Sequence, residues 1–164
     1  MPSVLFVCTA NRFRSPIAAA IFRKLLEAEP GVTESWTVAS AGTWTMPGQP
    51  VIPMALEAAR KLGFDLATHR SVQVSGQLLA EYDLILVMQA SQKESLHSEF
   101  PNLSRHVYLF SNVVERGSYD IPDSFSSERE VVEICMELNE LIQRGLPYIR
   151  VLATALHNQR HRTP

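Results

Sequence analysis

Apolar residues fall along this chain in two rhythms, and the rhythms alternate. Val4-Leu5-Phe6-Val7, Leu84-Ile85-Leu86-Val87-Met88 and Val107-Tyr108-Leu109-Phe110 are short and continuously apolar. Such runs suit strands buried on both faces of a parallel sheet. Trp36 to Ala41 reads as a further strand, making four. Between the strands lie helix-forming segments: Ile17 to Leu26, ending near Glu29-Pro30-Gly31; Met54 to Lys61, closed by Gly63; a short one within Gln73 to Ala80; and Gln92 to His97. Gly42, Pro47, Gly48, Pro50 and Pro53 mark a loop, and the polar stretch Ser111 to Ser127 reads as another. Val131, Ile134, Cys135, Leu138, Leu141 and Ile142 have the spacing of one buried helix face, which Gly145 and Pro147 are expected to end or break. Strands alternating with helices predict a doubly wound α/β domain, its ligand loops at the carboxyl ends of the strands.

Size and charge narrow the possibilities. A chain of 164 residues makes one domain with a proper core, taken as 1–157, with a polar tail at 158–164. A net charge of −2 offers no electrostatic reason for a nucleic-acid partner. No charged leader or long apolar segment suggests export or a membrane span, so a cytoplasmic protein is expected. Cys8 and Cys135, the only cysteines, exclude a disulfide framework and suit a reducing compartment.

Chemistry concentrates where the first strand ends. In Cys8-Thr9-Ala10-Asn11-Arg12-Phe13-Arg14-Ser15-Pro16, a cysteine closes the strand and an arginine follows six residues later. Ser15 is expected to cap the next helix, with Pro16 at its first position. The loop from Thr9 to Arg14 would then lie over a helix N-terminus, where free amides and the dipole favour anions. Arg14 would add bidentate recognition of oxygen. This is a cradle for a phosphate dianion facing a thiolate, and it points to a cysteine-dependent phosphatase. Magnitudes show that the cysteine cannot act alone. An ordinary thiol is about 3% ionised at pH 7, so full ionisation is worth only ~30-fold. A positioned acid adds ~10²–10⁴, against a need of up to ~10²¹ for phosphate monoesters. The remainder must come from charge stabilisation and alignment. The acid would come from Asp120 or Asp123 in the loop before the last helix, and the residues alone leave that choice open.

Together these segments resemble the low-molecular-weight protein tyrosine phosphatase family over nearly the whole chain. The resemblance rests on VLFVCTANRFRSP at the first strand and loop, Ser40-Ala41-Gly42-Thr43, His69-Arg70, Asp83-Leu84-Ile85-Leu86-Val87-Met88, and Asp120-Ile121-Pro122-Asp123-Ser124-Phe125. It implies a four-stranded parallel twisted sheet flanked by helices on both faces. It implies Cys8 as the nucleophile forming a cysteinyl-phosphate, Arg14 as phosphate ligand, and Asp123 as general acid and then base. Thr9, Ala10, Asn11, Arg12, Phe13 and Ser15 would surround the phosphate, with Trp44 and Phe125 as candidate walls for an aromatic ring. Ser40 and His69, with Asn11 and Ser15, would hold the loop in shape. The family needs no metal or cofactor, and no cluster of His, Cys and Asp with ligand spacing is evident in the sequence. The substrate would be a phosphorylated protein, a tyrosine kinase among the candidates, taken by a monomer whose site also accepts inorganic phosphate or sulfate.

Departures from the family pattern are Ala10 for a glycine, Phe13 for a second cysteine, Ser124 for a proline and Gln89 for an aspartate. Ala10 would be strained at a positive φ. Alternatives are a protein arginine phosphatase, an arsenate reductase needing a thiol relay, and a weak phosphoprotein-binding module. Arg12 sits where the family lines its substrate entrance, and a cation there favours acidic groups beside the phosphate. Wild type is therefore expected to turn over acidic phosphopeptides faster than neutral ones, a preference that Arg12→Ala abolishes. Equal preferences in the two proteins would remove this role.

Overall fold

Side chains alternate across a strand, so a strand apolar at every position must feed two cores at once. In the computed structural model, which describes residues 1–30, 32 and 36–162, β1 (Ser3–Cys8) does so. Val4, Phe6 and Cys8 enter one core, while Leu5 and Val7 enter the other. Burying each large apolar side chain contributes about 1.5–3 kcal/mol, so this one strand anchors both layers. β2 (Thr37–Gly42), β3 (Leu84–Val87) and β4 (Val107–Leu109) join it in an all-parallel sheet of order β2-β1-β3-β4.

Helices cover both faces. α1 (Arg14–Ala28), α2 (Pro53–Lys61), α5 (Phe110–Glu115) and α6 (Glu128–Arg160) pack on the side of Phe6. α3 (Gly76–Ala80) and α4 (Ala90–Glu99) send Leu79 and Leu96 into the core on the opposite face. The chain winds from β1 to β2, then returns to place β3 on β1's other side. That reversal opens a crevice at the carboxyl ends of β1 and β3, the usual ligand position in such sheets. Cys8 stands there.

Three expectations need correction. Phe110 begins α5 rather than ending a strand, and residues 111–115 are helical where a loop was expected; a helix of six residues is too short to show a helical stripe. Residues 101–106 form a 3₁₀ turn that the sequence did not announce. The last helix neither ends nor breaks at Gly145 or Pro147 but runs 33 residues to Arg160. Proline inside a helix costs about 3 kcal/mol. The apolar stripe resumes beyond it at Ile149, Ala153 and Leu156, all buried, and their burial offsets that cost. Gly31, at the expected end of the first helix, and Thr163 and Pro164, in the expected tail, lie outside the described residues.

Residues 158–160, expected to lie in the tail, are helical and bonded. Arg160 contacts Asp83 Oδ1 at 3.0 Å and donates to the Ala80 carbonyl, and His157 Nδ1 lies 3.0 Å from Asp83 Oδ2. Ser3 donates to the same Oδ2 from its amide and its hydroxyl. Burial pushes the Asp83 carboxyl up, but the bonds from Ser3 and His157 outweigh it and hold the net value below the ordinary carboxylate range. The start of β1, the start of β3 and the end of α6 are thus tied at the amino ends of the strands, opposite Cys8.

Gly145 is a packing residue. A Cβ there would lie 2.5 Å from Val114 Cβ and 2.9 Å from its Cα, so α6 approaches α5 only because a side chain is absent. Gly145→Ala gains about 1 kcal/mol of helix propensity but overpacks at about 1–3 kcal/mol. The expected outcome is a lower urea midpoint; a higher one would show that the two helices separate freely.

Candidate active site

Cys8 ends β1 only 2% exposed, with its sulfur turned into the loop that follows. Ser15 Oγ lies 3.0 Å from Cys8 Sγ, and the Asn11 amide donates to it at 3.3 Å. Ser15 Oγ also accepts from Asn11 Nδ2 at 2.8 Å, leaving its single proton for the sulfur or for the Ala41 carbonyl at 3.3 Å. Ser15 is therefore not the helix cap expected from sequence. α1 begins at Arg14, Phe13 occupies the N-cap position, and no side chain caps the helix. Pro16 becomes the third helical residue, where its missing N–H is still among the four without an intrahelical acceptor. The uncapped end of α1 lies behind the loop.

Asn11 organises that loop. Its φ of 54° is a left-handed conformation that Asn adopts more readily than most residues. Nδ2 donates to Ser15 and to Ser40 Oγ (2.9 Å), Oδ1 accepts from the Val72 amide (2.9 Å), and its carbonyl accepts from His69 Nε2 (2.8 Å). Ser40 and His69 thus both bond to Asn11. Ala10 is not among the positive-φ residues, so its methyl brings no strain. Gly42 is required for another reason: a Cβ would lie 2.5 Å from the Thr9 carbonyl, where β2 passes under the loop. Thr43 and Trp44 amides then donate to the Cys8 and Thr9 carbonyls.

Arg14 is 1% exposed. Nη1 donates to the Ile121 carbonyl at 2.9 Å, and Nη2 lies 3.1 Å from Asp123 Oδ2. Nη2 and Nε nevertheless have no hydrogen-bonded partner, the contact with Asp123 being a charge pairing without hydrogen-bond alignment. A buried guanidinium with two unsatisfied nitrogens is costly unless an anion completes it. The structure also separates the two aspartates. Asp120 Oδ1 accepts from the Ala90 amide at the start of α4, at 2.8 Å, and so pins the loop. Asp123 is left at the site.

One residue important to the loop escaped the sequence reading. Gln92, 2% exposed, accepts from the Met88 and Gln89 amides and donates to Thr9 Oγ1 at 3.0 Å, tying β3 to the phosphate loop. In sequence it is one polar residue in a polar helix, with no distinguishing signal.

The family model for low molecular weight phosphotyrosine protein phosphatase matches residues 3–160. The chain belongs to that family. It is 36% identical over 154 residues to a probable low molecular weight protein-tyrosine-phosphatase, EpsP, of Ralstonia nicotianae, covering 92% of this chain and 97% of that one. A structure of the arginine phosphatase YwlE, with its active-site cysteine changed to a phosphorylated serine, superposes with a TM-score of 0.81 at 28% identity, covering 98% of this chain and 97% of that one. The tyrosine phosphatase Wzb of Escherichia coli K30 with sulphate gives 0.76 at 29% identity, covering 88% and 96%.

At the mouth of this phosphatase, Trp44 is 84% exposed and Phe125 49% exposed. Arg12 does not point freely away: Nε donates to the Pro50 carbonyl at 2.8 Å, holding it against the Gly/Pro-rich loop. Phe13, expected beside the phosphate, turns its side chain into the core and can serve the site only through its backbone. Cys135 is fully buried in α6, and burial pushes its thiol up to about 12, so it offers no thiol relay of the kind an arsenate reductase needs. No helix among the described residues is long and apolar enough to cross a membrane. Among those residues, Asp83, His157 and His161 bring ligand atoms within 4.8 Å of one another, a grouping invisible in sequence. It lies at the amino ends of the strands, away from Cys8, with both Asp83 oxygens already bonded.

His69 supplies a pH dependence. Its burial lowers the imidazole below the ordinary value, more than the bond to the Asn11 carbonyl raises it, and Arg70 lowers it further. Its NMR titration midpoint should fall below the ~6.5 of free histidine. The unfolded chain then takes up the proton first, so stability falls as pH drops through ~6.5 toward the folded midpoint. A midpoint at or above 6.5 would contradict this.

Proposed function

We propose that this phosphatase hydrolyses protein phosphotyrosine in two steps through Cys8. The thiolate attacks phosphorus and the bond to the tyrosine oxygen breaks, while Asp123 gives that oxygen its proton. Water then attacks the cysteinyl-phosphate, Asp123 takes the water's proton, and the S–P bond breaks to release inorganic phosphate and restore the thiolate. Both steps spread charge over three phosphoryl oxygens, so positioning and electrostatics carry the acceleration. The observation behind this reading is the Arg14 guanidinium, buried with Nε and Nη2 unsatisfied and with Asp123 at 3.1 Å. Thr9, Ala10, Arg12 and Phe13 would contribute backbone amides, and Ser15 would donate to the sulfur.

Trp44, whose amide donates to the Thr9 carbonyl, and Phe125, two residues after Asp123, are exposed and favour an aromatic leaving group. Phosphoarginine is the second reading, supported by the likeness to YwlE. Relative turnover of phosphotyrosine and phosphoarginine peptides separates the two. We place the protein in the cytoplasm, with its two free cysteines the supporting feature, as a monomer whose catalytic domain extends past the expected end at 157 to the end of α6 at Arg160.

Cys8→Ser is expected to abolish hydrolysis of para-nitrophenyl phosphate. Asp123→Asn should lower kcat/KM for phenyl phosphate by about 10²–10⁴-fold while sparing 2,4-dinitrophenyl phosphate, whose phenol leaves without a proton. Asp120→Asn keeps an oxygen to accept from Ala90 and should keep most activity on both. Equal losses for Asp123→Asn on the two substrates would remove Asp123 from the acid role.

A further inference from the structure

The loop that carries Asp123 is held before that residue by Asp120 and by buried Ile121, and after it by a separate fastening. Glu130 Oε2 accepts from Ser124 Oγ at 2.5 Å and from Ser126 Oγ at 2.6 Å. Those bonds bracket Phe125 and begin at the residue directly after Asp123. Glu130 is itself fixed: it is the third residue of α6, and its amide donates to Oγ of the N-cap Ser127 at 3.2 Å. A Ser-x-x-Glu pair at a helix start ordinarily returns the carboxylate to the cap residue's own amide. Here the carboxylate reaches back past the cap to two hydroxyls of the preceding loop. The hydroxyl bonds lower the Glu130 carboxyl, which keeps it an acceptor at neutral pH.

We propose that Glu130 is a positioning residue for the general acid, holding Asp123 over the phosphate site through Ser124 and Ser126. The proposal rests on Asp123 being the acid. Its anchor is α6, the longest helix, packed on α1, α2 and α5, so the loop inherits its place from the core. Misplacing a reacting group by about 1 Å can cost ~10²-fold, so a loosened tether is felt in the proton-transfer step first. Gln at this position retains one carbonyl oxygen for the hydroxyls; Ala retains nothing.

The test is kcat/KM on phenyl phosphate and on 2,4-dinitrophenyl phosphate for wild type, Glu130→Ala, Glu130→Gln, the double variant Ser124→Ala/Ser126→Ala, and Asp123→Asn. Glu130→Ala should lose roughly 10- to 100-fold on phenyl phosphate and less than about threefold on the dinitrophenyl ester. Glu130→Gln should recover most of the loss. The double serine variant should match Glu130→Ala, and combining them should add nothing further, as partners in one contact do. Urea midpoints and circular dichroism accompany each protein. Equal losses on both esters, or no loss, in a folded Glu130→Ala while Asp123→Asn still discriminates between them, would overturn the positioning role and leave the acid assignment intact. Failure of Asp123→Asn to discriminate would overturn both.

Discussion

A full positive charge lies almost out of solvent at the end of the central strand, and the architecture around it exists to make that tolerable. Arg14 is 1% exposed, and the two groups facing it, the Ile121 carbonyl and Asp123, come from a loop more than a hundred residues away. Removing an ion from water costs several kcal/mol even after relaxation. One neutral acceptor and one partly exposed carboxylate return only part of that. A dianion reaching Nε and Nη2 returns more, through charge-assisted bonds in a low-dielectric setting. The cost of burying the Arg14 guanidinium with two unpaired nitrogens and its affinity for phosphoryl oxygen are the same free energy seen from two sides.

Such a site works only if the loop cannot relax around its own arginine. Asn11 prevents this by using its amide, both side-chain termini and its carbonyl at once, on Cys8 and Ser15, on Ser40 of β2, and on His69 and Val72. Thr9 is held from the other side by Gln92. The loop is therefore clamped by β2, by the segment around residues 69–72 and by α4, and rearranging it would break several buried hydrogen bonds together. Rigidity here replaces reorganisation at the moment of reaction, which is how preorganised sites gain their advantage over water.

The substitutions that set this chain apart from its family pattern are absorbed by specific structure. Ala10 keeps a negative φ, the left-handed turn falling on Asn11 instead. Phe13 fills core volume at the start of α1. Ser124 gives the acid loop a hydroxyl that meets Glu130. At the amino ends of the strands, Asp83 collects Ser3, His157 and Arg160, which keeps the long last helix seated across the sheet despite Pro147.

The sequence by itself determined the strands, most of the helices, and the loop that joins Cys8 to Arg14, because each is written in contiguous residues: an apolar run, a helical stripe, a cysteine and arginine six apart. Boundaries shifted by one to four residues at most of these elements. What only the tertiary structure decided involves residues brought together across long stretches of chain. Asp123 rather than Asp120 meets Arg14 because Asp120 is consumed at the start of α4. Ser15 serves the sulfur instead of capping because Asn11 turns left-handed beside it. α6 passes its proline because the core beyond still has Ile149 and Leu156 to bury. Local propensity is worth tenths of a kcal/mol to about one per residue, whereas a buried side chain or an unpaired buried polar group is worth several times that. Where the two conflict, the contact distant in sequence wins.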